Sequence, residues 1–238
     1  MIRWMIATLC AFFIKGLCGF ANTLVFTSIL SFTNDNVNIS PVELLLGYPS
    51  NAIMAWRERK CISWKLCIPI ALLVLLGSLP GIFLLKHLDA GIIKVFFGIV
   101  IILIGCEMLY CEMRPGAFQM PKVMQLVVGA LSGVLCGLYG VGALLGACLS
   151  RITTDSHSFK ANISIIFLIE NTFRIVLYGV YGILTLQIVV QAIQLLPFML
   201  IGLFCGMVCA GHLPERVIKR LVIVLLMISG VALIIQNI

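Results

Sequence analysis

Charge is what this chain has least of. Asp, Glu, Lys and Arg make up 11% of its 238 residues, where soluble globular proteins carry roughly a quarter. With 62% apolar residues and a mean hydropathy of +1.18, that shortage excludes a soluble domain and implies an integral membrane protein. Paired-cysteine spacing is missing as well. The ten cysteines are scattered, none forms a CxxC pair, and most sit inside apolar runs, where cysteine acts as a small hydrophobe. Their placement argues against a disulfide framework or a metal cluster. There is no P-loop, which excludes ATP-driven transport on this chain alone. Nor is there an HExxH, a pair of intramembrane aspartates or a Ser–His arrangement of the kind a membrane-embedded enzyme would need. Neither a cofactor nor a metal is implied. A small-residue cleavage site does not follow Arg3 and the first apolar run, which Lys15 interrupts early, so the first segment is expected to stay in the mature protein.

What the chain has instead is uncharged runs. Leu66 to Leu85, Val123 to Ser150 and Leu221 to Ile238 are each bare of charge, and Ile175 to Pro214 is long enough for two spans around the turn Tyr181-Gly182-Ile183-Leu184-Thr185. Each run can cross about 30 Å of hydrocarbon as a helix. Met1 to Ser31, Pro41 to Trp56, Asp89 to Cys111 and Ser156 to Gly182 complete the set. The expectation is an all-α polytopic membrane protein of about eight hydrophobic segments.

The runs repeat. Gly16-Leu17-Cys18-Gly19 returns 121 residues later as Gly137-Leu138-Tyr139-Gly140. Further along the offset is 125, linking Gly77 and Gly81 to Gly202 and Gly206, His87-Leu88 to His212-Leu213, Lys94 to Lys219, and Gly105 to Gly230. Two homologous halves are therefore expected, residues 1–111 and 122–238, joined by the polar, proline-containing linker 112–121. A duplicated, glycine-interrupted apolar chain is the pattern of a secondary transporter or channel, whose site lies where equivalent broken segments meet.

Positive charge orients the halves. Eight simple crossings would divide the loop Lys and Arg evenly between the two sides. If Met1 to Ser31 and Val123 to Ser150 are instead re-entrant pairs of half-length helices hinged at their glycines, Arg57, Arg59, Lys60, Lys65, Arg114, Lys122, Arg151, Lys160, Arg216, Lys219 and Arg220 lie inside, against Arg3, Lys86 and Lys94 outside. The positive-inside rule favours this second topology, an inverted repeat. The net charge of +7 flanks apolar spans, so it is read as facing anionic lipid; a nucleic acid is not expected. The expected partners are the lipid bilayer and a small anionic substrate, and a homodimer is left open.

The candidate binding residues follow from this plan. Gly16 and Gly19 with Asn22 in one half, and Gly137, Gly140 and Gly142 in the other, would hinge the hairpins and expose backbone N–H groups at positive helix ends as an anion cradle. Close helix packing is the alternative for glycines, and it is the expected role of Gly77, Gly81, Gly202 and Gly206. Lys15 and Arg174 are cations inside apolar segments, where an unpaired charge is costly. Lys15 could serve a bound anion or snorkel to an interface. Arg174 could do the same or pair with Glu170 one turn earlier, and Glu170 is also a candidate proton carrier. Pro49-Ser50-Asn51 stands opposite Glu170-Asn171-Thr172 at the 121 offset, so Ser50, Asn51, Asn171 and Thr172 are expected to line a cavity.

Three of these stretches carry a resemblance. Gly16-x-x-Gly19-Phe20-x-Asn22, Gly-x-x-Gly-Val-Gly over residues 137–142, and Leu-x-x-x-x-x-Lys-x-x-Phe-Gly over residues 88–98 resemble the sulfite exporter TauE/SafE family of membrane permeases, along nearly the whole chain. The resemblance implies a duplicated multi-span permease of a bacterial inner membrane that moves small sulfur-containing anions such as sulfite or sulfonates, usually outward. It does not imply an enzyme. The chain departs from the family's usual pattern at Ala21-Asn22, where a further glycine is common. Two other classes stay open at this point, an assembly subunit of a membrane complex and a membrane-embedded enzyme.

Overall fold

The structure, a computed structural model, describes residues 1–30, 39–87, 143–153 and 155–235, together with positions 95, 98, 99, 102, 103, 105, 106, 109 and 110. Among these residues all regular secondary structure is helical, as expected for an all-α chain. The long elements are α1 (Ile2–Cys18), α2 (Asn22–Leu30), α3 (Ile39–Arg57), α4 (Trp64–His87), α5 (Ala143–Ile152), α6 (Ser156–Val180), α7 (Leu186–Ala210) and α8 (Glu215–Ile235). A single 3-10 turn, Arg59–Cys61, links α3 to α4. By length and apolarity, α6 and α7 qualify as membrane spans. The linker 112–121 and the second glycine motif, with Gly137, Gly140 and Gly142, lie outside the described residues.

The ends of the helices obey local chemistry. Asp155 caps α6 by accepting the Ser158 N–H, which holds its carboxyl below the usual aspartate range. Thr185 caps α7 through the Ile188 N–H. α1 stops at Gly19, whose left-handed φ of 92° lets its N–H close on the Lys15 carbonyl at 2.7 Å.

Outward faces are apolar. Ile68, Leu72 and Leu76 form one exposed stripe on α4 at four-residue spacing, and Val224, Ile228, Val231 and Ile235 form another on α8. Water would penalise such surfaces, whereas lipid accepts them, and helices satisfy their own backbone groups there. Trp56 and Trp64 are exposed beside the basic turn, with the Arg59 guanidinium 4.7 Å above the Trp56 ring. Aromatic and basic residues of this kind gather at a membrane–water interface.

Inside, α1 lies tightly along α7. A Cβ on Gly202 would come within 2.5 Å of the Leu9 carbonyl oxygen, and one on Gly206 would meet the Phe13 carbonyl oxygen. Gly16 answers from the other side, where a Cβ would sit 2.8 Å from the Met207 nitrogen and 2.9 Å from the Gly206 Cα. This is small-residue packing, in which backbone approach replaces the hydrophobic drive that lipid removes. It gives Gly202 and Gly206 the packing role expected of them, and it corrects the reading of Gly16 as a hinge: Gly16 is inside α1, and the chain breaks three residues later.

The first segment folds back on itself at Gly19–Ala21, and α1, with 17 residues, reaches about 26 Å at 1.5 Å per residue. Trp4 and Phe26 meet edge to face at 5.7 Å, and Phe26 and Leu30 share an apolar cluster with Ala7 and Ala11, so α2 doubles back along α1.

Candidate functional site

Among the described residues, the buried Asp, Glu, Lys and Arg side chains are Lys15 on α1, Glu43 on α3, and Glu170 and Arg174 on α6. All four belong to one neighbourhood at the break between α1 and α2. There the chain turns through Gly19, Phe20 and Ala21, and Ala21 holds a φ of 73° that residues with a side chain rarely adopt. The first intrahelical bond of α2 is Val25 N–H to Ala21 O at 3.2 Å. The N–H groups of Asn22, Thr23 and Leu24 therefore come before any helical partner, at the positive end of the helix dipole.

Those three residues line a small pocket together with Phe20 and Ala21. α1 contributes Lys15, α3 contributes Glu43 and Asn51, and α6 contributes Phe167 and Asn171. Spacing explains the selection: 43, 47 and 51 on α3, and 167, 171, 174 and 178 on α6, recur every three or four residues and so share one helix face. Gly47 keeps the centre of this face open, since a Cβ there would stand 3.4 Å from Glu43 Oε1, 3.5 Å from Asn171 Nδ2 and 3.9 Å from Asn22 Nδ2.

The polar partners are specific. Glu43 Oε1 accepts hydrogen bonds from the Asn22 side-chain amide and, at 2.9 Å, from the Thr23 hydroxyl. Both Arg174 and Lys15 act on this carboxylate electrostatically. The Lys15 ammonium lies 5.7 Å from the centre of the Phe12 ring. Behind the pocket, Arg174 donates to Ser40 Oγ at 3.1 Å and to the Tyr178 hydroxyl at 3.0 Å, and its Nε faces Glu170 Oε1 at 3.6 Å. Asn51 Oδ1 is buried in the pocket wall with no hydrogen-bond partner among the described residues. A cavity holding an ammonium, amide and hydroxyl donors, and a helix N-terminus can bind a small oxyanion.

The structure sorts the residues expected from sequence. Lys15, Asn22, Asn51 and Asn171 line the pocket, and Gly19 makes the turn above it. Glu170 and Arg174 are buried one layer back, paired with each other. Ser50 is buried but bonds back to the Gly47 carbonyl at 2.7 Å instead of facing the cavity. Thr172 is a correction: it is exposed and bonded to the Leu168 carbonyl, because one residue along a helix turns the side chain by about 100° from Asn171. Glu43, Thr23 and Gly47 were missed. The signal for Glu43 was available, since a carboxylate inside an apolar segment is a functional candidate by default.

The fold and this site define an all-helical membrane protein with buried charge gathered at a helix break. The chain belongs to the sulfite exporter TauE/SafE family, whose pattern matches residues 4–233. It is thereby a member of a family of membrane permeases. A comparison with curated proteins found no match, and neither did one with solved structures.

Proposed function

We propose that this protein is a secondary permease of the cell membrane that carries small anions, sulfur-containing ones such as sulfite or organosulfonates, outward through the pocket under the α1–α2 break. The observation that carries the reading is Lys15. It is a cation, 1% exposed, on the wall of a cavity that also presents the first turn of α2. An assembly subunit has no use for a charge held there at such cost.

Family membership supplies the transporter class, and the repeat supplies the plan. Under the 121 offset the first residue of α2, Asn22, corresponds to the first residue of α5, Ala143. Under the 125 offset Gly98, Ile102 and Gly105 correspond to Ile223, Met227 and Gly230. A Cβ on Gly98 would stand 2.8 Å from the Gly230 carbonyl oxygen, and one on Gly105 would stand 3.9 Å from that of Ile223. Likewise Gly105 faces Met227 at 2.8 Å as Gly230 faces Ile102 at 2.7 Å. Contacts that exchange partners in this way are what a two-fold relation produces.

Because the partner number falls from 230 to 223 as the position rises from 98 to 105, these equivalent helices run antiparallel. α3 and α6, also equivalents, do the same, with Ser40 opposite Tyr178 and Gly47 opposite Asn171. This supports an axis in the membrane plane, the geometry of an inverted repeat of residues 1–111 and 122–238, as does a pocket lined from both α3 and α6.

Uptake of radiolabelled sulfite into proteoliposomes, with sulfate and a sulfonate as competitors, tests the reading. Saturable flux that drops about tenfold or more in Lys15→Ala, as expected for losing a charged donor, supports it. Flux by the intact protein that is absent for every sulfur anion under both a potential and a pH gradient overturns it.

A further inference from the structure

We propose that Glu43 couples the anion to a proton: its carboxylate is a resident anion in the pocket, and a substrate anion replaces it at the N-terminus of α2 when one proton from the aqueous phase neutralises the carboxyl. This rests on the permease reading of the same pocket.

The position of the carboxylate makes the two anions competitors. Glu43 Oε1 is held by the side chains of Asn22 and Thr23, the first two residues of α2, which are the donors an incoming oxyanion would use. The Asn171 amide lies beside the same carboxylate, since a Cβ on Gly47 would stand 3.5 Å from Asn171 Nδ2 and 3.4 Å from Glu43 Oε1. An ionised Glu43 and a bound oxyanion would each claim these donors, and like charges that close repel.

Charge balance points the same way. The groups that face Glu43 are Lys15 from α1 and Glu170 and Arg174 from α6; α2 presents only the neutral Asn22 and Thr23. Two cations and two carboxylates cancel, so an anion entering the intact set adds a charge that nothing in the described site offsets. One proton on Glu43 restores the balance for a monovalent anion. Asn51 Oδ1, two turns along α3 from Glu43 on the same face, lines the same pocket and is buried without a hydrogen-bond partner among the described residues. Glu170 is less suited, because it does not line the pocket and is committed to Arg174 at 3.6 Å.

Initial sulfite uptake into proteoliposomes, measured from neutral to mildly acidic pH, tests the proposal with Glu43→Gln, Glu170→Gln and Lys15→Ala beside the intact protein. The protonation of sulfite itself is the same for every protein, so differences between them belong to the side chains. The apparent affinity of the intact protein is expected to gain up to about tenfold per unit fall in pH relative to Glu43→Gln, the limit for one linked proton. Glu170→Gln, whatever its rate, keeps the slope of the intact protein, and Glu43→Gln carries charge without a proton. An unaltered slope in Glu43→Gln, with flux still lost in Lys15→Ala, overturns the coupling and leaves the permease reading standing; absence of flux in the intact protein overturns both. Should Glu43→Gln not fold, proton uptake by the intact protein on binding sulfite in weakly buffered detergent decides: about one proton per anion beyond that carried by sulfite upholds the proposal, and none overturns it.

Discussion

Ala21 and Gly19 show how one backbone angle governs the site. Both hold positive φ at the break, but only one of them is glycine. A Cβ in the left-handed region costs about 1–2 kcal/mol. Ala21→Gly is therefore expected to stabilise the protein by about 0.4–1 kcal/mol in thermal unfolding, less than the full relief because glycine also loosens the unfolded chain. Gly19→Ala should destabilise it by at least the strain, since the new Cβ would also press on Lys160 Cγ at 2.9 Å. Lys15, Asn22, Asn51 and Asn171, which line the pocket, were visible in the sequence because polar groups stand out in apolar segments. Sequence reading mistook Thr172 for a lining residue because a repeat offset aligns positions along the chain and does not say which way a helix faces. Glu43 escaped because it has no counterpart acid in the other half to draw the eye: the 121 offset sets it against Ser164.

At the scale of elements, the α1–α7 contact sets how α1 is held over the pocket. Gly16, Gly202 and Gly206 bring the two backbones together one residue from Lys15. Gly206→Ala is expected to cost about 1–3 kcal/mol by overpacking, because the Phe13 carbonyl oxygen is backbone and cannot turn aside. Lower thermal stability together with weaker sulfite uptake would follow; an unchanged melting temperature would show that α1 has room to shift. The packing role of the glycines was legible from their four-residue spacing on α7. The point where the segment breaks was not, since a glycine motif marks several possible break points and only tertiary contact selects Gly19 over Gly16.

For the whole molecule, the proposed inversion places equivalent loops on opposite faces of the membrane. The turn after α3 carries Arg57, Arg59 and Lys60, whereas its counterpart after α6, Tyr181 to Thr185, has no charge. In a protein freed of its other cysteines, Cys61 should label from the cytoplasmic side and a Leu184→Cys variant from the opposite side; labelling of both from one side would rule out the inverted plan. The proposed duplication rests on offsets read in the sequence, and its inverted sense on a charge count; the reciprocal contacts of Gly98, Gly105 and Gly230 support that proposal.

The four buried charges are also divided evenly. Lys15 and Glu43 come from the first of the two proposed halves, Glu170 and Arg174 from the second, so each would bring one of each sign. Halves that slide or rock past each other would then part as two electrically neutral bodies at this depth. The work of separating them is that of pulling apart dipoles, which fades with distance much faster than the work of separating net charges.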